Sequence, residues 1–532
     1  MGMATAHAIE SHAAGEALYH SGIVGSGAPL EGTRSDVGQV LQGEAAACAR
    51  CHRASGLGSH EGSYSIPPIS ARYLYHARTL HAEQPDPPPL HGEHPDRRPY
   101  TDATLARSIR EGVDPEGRVL DYLMPRFALG DADMAALIAY LKRLSPAQVR
   151  GVDPTLLQFA TIITPDADPV KRQAMLDVLD RYFAEKNRAP LSGASRRQSS
   201  GTSLRPGTID AASRHWQLHV WQLEGPPTDW TAQLERHLAQ EPVMAVISGL
   251  GGKDWSPVHA FCQHARLPCL FPNLEVPVDA DRDLYPVYFS RGVLLEARLI
   301  AQRLGAEAGG QSKVPVQQIF RDGDVGVAGA RALASVLQAS GRAVEDVVIP
   351  AGATASGVHE ALDRARGHGP LVLWLRPDDL SSLGGIQPPG RPVYASGLMG
   401  GLEHTPVAAD WREHLFLTYP FDLPGHRVVR VDYARGWFRL RNIPVAAEQV
   451  QVDTYVACGL LSDALKQMAD NIVPEYLLEL IEEAAGHRVL TGYYPRLSLG
   501  PGQRFASKGG YLVQLSGTVD GRVSALGDWV VP

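Results

Sequence analysis

The chain has 532 residues, a formal net charge of −8, 20% charged residues and 44% hydrophobic residues. That length admits more than one domain at roughly 100–200 residues each, the mild acidity excludes the basic stripe of a nucleic-acid binder, and no apolar run suits a transmembrane segment. The five cysteines, Cys48, Cys51, Cys262, Cys269 and Cys458, are too few for a disulfide scaffold.

The opening MGMATAHAIESHAAGE has neither the apolar core nor the cleavage site of an export signal. GEALYHSG then reads as a helix, and CARCH follows at residues 48–52. Three chemistries use such a motif. A redox dithiol sits at the start of a helix after a strand, where the helix N-terminus lowers the thiol pKa. The preceding GEAAA is no strand. Structural zinc needs four ligands, usually from a second close pair. The chain has no second CxxC, and His91 and His94 lie in a Pro-rich loop without helical spacing. The third chemistry is covalent haem: two thiols on one turn reach the two vinyl groups, and the adjacent histidine takes the iron from one side.

Residues 100–145 end in a helix. Met134, Leu137, Ile138 and Leu141 fall at i, i+3, i+4 and i+7, one apolar stripe. Asp131 and Asp133 at its start and Lys142 and Arg143 at its end suit the helix dipole. LMPRF precedes it. Met124, followed by a proline, is well placed there to bring a thioether to the far side of an iron.

These residues resemble a class I cytochrome c over about residues 10–147. The resemblance implies a small all-α domain, residues 1–150, holding one covalent haem c on Cys48 and Cys51. It implies His52 and Met124 as the metal ligands. It places Gly15 against Tyr140 where the first and last helices cross. It has the carbonyl of Pro67 or Pro68 orient His52, raising the basicity of the imidazole. Residues 71–100 are longer and richer in proline than a minimal cytochrome needs. With both axial positions filled, such a domain shuttles single electrons and does not activate substrates. Covalent haem attachment further implies a periplasmic address, with the signal peptide absent from this chain.

From about residue 153 strands alternate with helices. LQFATIITP, HWQLHVWQLEG, VMAVISGL and LPCLFPN read as strands between VKRQAMLDVLDRYFAEKN, WTAQLERHLAQ and SPVHAFCQHA. LSGASRRQSSGTSLRPGT, from Leu191, reads as a Ser/Gly/Arg-rich loop. After VLLEARLIAQRLGA the rhythm restarts with VPVQQIF, AVEDVVIP, PLVLWL and RPVYASGL. This βαβ order predicts two lobes with parallel sheets. VDTYVACGLLSDALKQMADNIVPEYLLELIEEA should be helical and return to the first lobe.

This half, residues 151–532, resembles a two-lobed α/β periplasmic-binding-protein-like domain of type I, nearest the branched-chain amino-acid receptors of ABC importers. The resemblance implies a small-molecule solute bound between the lobes. The matching pocket positions are Lys253, Asp254, Trp255 and Ser256, then Asn273, Val325, Arg376 and Ser396. Ser256 can equally cap the following helix. Lys253 and Arg376 could clamp an anion. These side chains depart from those amino-acid receptors use, which weakens an amino-acid ligand. Cys262 and Cys269, seven apart, suit either a disulfide or two buried small side chains, and Cys458 reads as core. GLGG at Gly249 is too short for a dinucleotide fingerprint.

The expectation is a periplasmic electron carrier, not an enzyme. Its partners would be a dehydrogenase donor, such as a quinoprotein, and an oxidase or cytochrome acceptor. The receptor-like half would bind a solute or dock that partner. The alternative is an ABC-type solute receptor or sensor with the haem as a redox reporter. A haem enzyme would need Met124 off the iron.

Overall fold

Glycine decides where the first helix meets the last. In the computed structural model residues 13–21 form a helix, and a Cβ on Gly15 would lie 2.3 Å from the Ala136 carbonyl oxygen and 2.9 Å from the Tyr140 Cβ. The partner helix, Asp131–Leu141, buries Met134, Ala136, Leu137, Ile138, Tyr140 and Leu141. Met134 is therefore a core residue of that stripe. Tyr140 Oη and His20 Nε2 share a hydrogen bond of 2.7 Å across the crossing.

The structure describes residues 13–35, 38–61, 64–76, 97–144, 149–188, 214–279, 281, 283–307, 314–468, 471–516 and 522–532. His91, His94 and the Ser/Gly/Arg-rich segment from Leu191 lie outside the described residues. The chain divides into two compact units. The first runs to Val149 and takes in Met468–Glu479; the second begins at Arg150 and holds most of the remainder.

The first unit is not purely helical. Strands β1 (Glu31–Thr33), β2 (Val40–Gln42) and β5 (Arg126–Phe127) form an antiparallel sheet in the order β2-β1-β5. β3 (Ser59–Glu61) and β4 (Tyr64–Ile66) form a hairpin. Such strands are too short to show alternation, so periodicity cannot find them. The segment from Met468 packs within this unit. Val473 joins Leu57 and Tyr73 in one apolar cluster, and Asn471 Nδ2 donates to Tyr73 Oη at 2.9 Å. Glu479 accepts from Ser55 N at 2.8 Å and from Ser55 Oγ at 2.6 Å, three residues past His52.

The second unit carries two sheets. The first lobe holds β6 (Leu156–Ile163), β7 (His215–Gln222), β8 (Ala245–Ile247), β9 (Cys269–Leu270) and β10 (Pro286–Val287), all parallel, in the order β10-β9-β8-β6-β7. The second lobe holds β11 (Val316–Arg321), β12 (Val344–Ile349), β13 (Leu371–Trp374), β14 (Val393–Ala395) and β15 (Leu415–Tyr419) in the order β12-β11-β13-β14-β15. β16 (Tyr511–Leu515) and β17 (Val523–Ala525) extend that sheet antiparallel. In both lobes the first strand lies between the second and third. Strand order thus reverses at its edge, which opens a crevice at the carboxyl ends of the strands. The last helical stretch is two helices, Glu448–Met468 and Pro474–His487, and the second opens on proline, which suits a helix start. The first of them does return to the first lobe, where the Ser248 and Thr454 hydroxyls lie 2.8 Å apart. Cys262 and Cys269 are joined as a disulfide, with Cα atoms 6.2 Å apart. Cys458 is fully buried, as read.

Gly15→Ala should destabilise the first unit by about 1–3 kcal/mol, because the backbone carbonyl it meets cannot step aside. Thermal unfolding would show this as a lowered midpoint, and an unchanged midpoint would contradict the helix crossing.

Candidate functional site

Cys48 and Cys51 flank one turn. The short helix Ala49–His52 begins at Cys48, and the His52 amide donates to the Cys48 carbonyl at 2.9 Å. His52 is only 6% exposed. Its Nδ1 lies 2.9 Å from the Pro67 carbonyl oxygen. A carbonyl only accepts, so Nδ1 carries the proton and Nε2 keeps its lone pair. Of the two prolines, Pro67 supplies this contact, and Pro68 is buried beside it. Gly58 makes the approach feasible. Its φ is +80°, and a Cβ there would lie 2.0 Å from the Ile66 carbonyl oxygen. Burial lowers the His52 pKa against the opposing Pro67 bond, so the ring stays neutral and able to ligate.

Burial pushes the Cys48 thiol up to about 12, outweighing its backbone hydrogen bond. A redox dithiol needs the opposite shift. Among the described residues no group of three or more His, Cys, Asp or Glu side chains could hold a metal ion, which leaves the zinc reading without support there. A haem fits the donor set: two thiols one turn apart and a neutral imidazole with Nε2 available.

Met124 sits half-buried against the core that includes Leu105, Phe127 and Met134. Its loop is held by its backbone. Arg126 donates to the Met124 carbonyl, and to the Leu120 carbonyl at 3.1 Å. Asp121 accepts from the Leu123 amide at 2.9 Å. Gly112 leaves room for that guanidinium, since a Cβ would lie 1.8 Å from Arg126 Nε. Gly58, Gly112 and Arg126 were not visible as site residues. The only sequence signal was a glycine directly after a helix, the usual left-handed end.

In the second unit a cavity of about 310 Å³ opens at the carboxyl ends of the strands, lined from both lobes. Asp166 and Asp168 follow β6, Leu250 to Lys253 follow β8, and Pro272 to Glu275 follow β9. Asp324 and Val325 follow β11, and Arg376 follows β13. Lys253, Asn273, Val325 and Arg376 thus share the cleft.

The other expected ligand residues do not share it. Trp255 is 2% exposed and lies under the glycine loop, where a Cβ on Gly251 would meet its ring at 2.6 Å. Asp254 accepts from the Ser256 amide at 2.8 Å, so Asp254 caps the turn that Ser256 was expected to cap, and Ser256 is exposed. Ser396 is fully buried. It bonds Glu296 and accepts from the Met399 amide at 3.1 Å, serving as a helix cap. Burial pushes Glu296 up to about 7 despite those donors.

Arg376 is not a vacant anion clamp. It donates to Glu275 at 3.0 and 2.7 Å and to Asp324 at 2.9 Å through both Nε and Nη2. One guanidinium therefore joins a carboxylate of the first lobe to one of the second. Burial would raise Glu275 and Asp324, but the Arg376 hydrogen bonds and charge hold both below their ordinary values. Deeper in, Asp453 is 3% exposed, and burial pushes it up to about 7 against Gln449, Tyr494 and Arg427.

Arg376→Met should cost the second unit about 2–3 kcal/mol near neutral pH, since two facing carboxylates lose their cation. Glu275 and Asp324 lie below their ordinary values of 4.5 and 3.8. Their contribution is intact above 4.5 and lost as pH falls through the lower native values. Denaturant titrations of both proteins should converge in acid, and a gap independent of pH would contradict the pairing.

No curated protein matches the chain. Three solved structures are similar in fold. A fatty acid ABC transporter substrate-binding protein from Thermomonospora curvata is 14% identical, with a TM-score of 0.48, and the match covers 72% of this chain and 95% of that one. A possible leucine/isoleucine/valine-binding protein from Rhodopirellula baltica is 15% identical at 0.49, over 71% and 97%. A leucine binding protein from Thermotoga maritima is 12% identical at 0.49, over 71% and 99%. Likenesses this distant decide nothing about what the cleft binds. The family model Cytochrome c matches residues 37–145, the stretch that holds Cys48, Cys51, His52, Pro67 and Met124.

Proposed function

We propose that this chain is a periplasmic monohaem c-type cytochrome that transfers single electrons, joined to a receptor-like module for a small solute. The bond from His52 Nδ1 to the Pro67 carbonyl, at 2.9 Å, carries the reading. It fixes the tautomer and the ring plane before any metal binds and leaves Nε2 as the ligand atom. Haem attached through Cys48 and Cys51, with His52 and Met124 on the iron, supplies one-electron chemistry with no coordination position left for substrate. The protein is on this reading a carrier and not an enzyme. Arg126 and Asp121 hold the Met124 loop by its backbone, so the thioether is positioned independently of its own side-chain packing.

The donor would be a dehydrogenase, a quinoprotein among the candidates, and the acceptor an oxidase or another cytochrome. The second reading is a solute receptor or sensor in which the haem reports redox state. The crevice formed where both sheets reverse strand order favours a working ligand cleft in either case.

A potentiometric titration tests the first reading. The wild-type protein should be low-spin in both oxidation states and titrate as one one-electron couple. Met124→Ala should lower the potential and open the ferric iron to added imidazole. A high-spin wild-type ferric spectrum, or a potential indifferent to Met124, would refute the electron-carrier assignment.

A further inference from the structure

The cleft is acidic and, at one end, aromatic. Asp166, Asp168, Glu275, Asp324 and Asp453 line it against Lys171, Lys253 and Arg376. Arg376 is engaged by two carboxylates, and Lys171 faces Glu275 at 3.4 Å. Phe289, Phe421 and Tyr494 form the aromatic end, with the Tyr494 ring centroid 5.3 Å from Phe289 and 5.4 Å from Phe421.

Two acceptor atoms there lack partners. Asp453 Oδ2 accepts from Gln449 at 3.1 Å and from the Tyr494 hydroxyl at 3.3 Å, while its Oδ1 is buried with no hydrogen bond. Asn273 is alike: Nδ2 donates to Ser248 Oγ at 3.0 Å, and Oδ1 has no donor. The two are close, since Asn273 Nδ2 also reaches Thr454 Oγ1, on the residue after Asp453, at 3.4 Å. Buried acceptors left open in a cavity call for a donor. Ring faces beside a carboxyl group call for a cation. A ligand carboxylate would meet a guanidinium already paired twice.

We propose that this cleft binds an organic amine as its ammonium ion, its N–H groups donating to Asp453 Oδ1 and Asn273 Oδ1 and its carbon body packed on Phe289, Phe421 and Tyr494. The inference rests on the reading of the second unit as a solute receptor. It goes beyond that reading by naming the charge and class of the solute. It also replaces the anion expected from Lys253 and Arg376.

The test is isothermal titration of the full haem-loaded chain at neutral pH with benzylamine, benzyl alcohol and phenylacetate. Benzylamine should bind at least about tenfold more tightly than the alcohol, and phenylacetate should bind least. Asp453→Asn should weaken benzylamine at least about tenfold and leave the alcohol unchanged. Phe421→Leu, a second variant that keeps apolar bulk, should weaken the amine more than the alcohol. Tighter binding of phenylacetate or of valine than of benzylamine would overturn the amine class and leave the receptor reading standing. Benzylamine affinity unchanged in both folded variants would overturn the placement. Binding of none of the probes would overturn the proposal and the solute-receptor reading together.

Discussion

The imidazole of His52 can ligate a metal only if something else takes its Nδ1 proton, and the Pro67 carbonyl does so at 2.9 Å. Much of the first unit serves that contact. Gly58, at a φ of +80°, lets the loop pass over the Ile66 carbonyl. The Tyr19 hydroxyl donates to the Arg53 carbonyl at 2.7 Å and holds the residue after the motif. Ser55 is fixed by both oxygens of Glu479, which arrives from far along the chain. Burial then keeps the ring neutral and the Cys48 thiol protonated. The result is a pre-arranged ligand on one side and two thiols one turn away.

The second unit solves a different problem. Its two sheets share one strand order, so both place their loops at a crevice. Those loops bring charge of both signs into a confined space, where an unpaired ion is costly. Arg376 answers this by bridging Glu275 and Asp324, one from each lobe. The same arrangement that ties the lobes together removes the strongest anion site. What remains unpartnered, Asp453 Oδ1 and Asn273 Oδ1, has the opposite preference.

Local patterns were legible in the sequence, and long-range partners were not. CARCH, the Met134 stripe and the contact of Gly15 with Tyr140 follow from spacing or from family resemblance, and each sits as expected. The alternation of strands and helices after residue 153 likewise survives. The small strands β1 to β5 were missed because three residues carry no period. The helix Pro424–Leu440 was passed over because its arginines and exposed valines blur its apolar face. Arg376 was readable as a cation after a strand, but its partner Glu275 lies 101 residues away. Ser396 looked like a pocket hydroxyl because it follows a strand, yet Glu296, 100 residues earlier, draws it into the core. Asp453 read as one polar position in a helix, and only the return of that helix to the first lobe brings it to a cavity.

The central claim is covalent attachment at Cys48 and Cys51. The direct measurement is a denaturing mass spectrum of protein matured where c-type haem is attached, followed by fragmentation of the peptide spanning residues 48–52. The account predicts that one haem mass survives denaturation and maps to that peptide. A chain that runs at its bare mass, or releases its haem on denaturation, would contradict it.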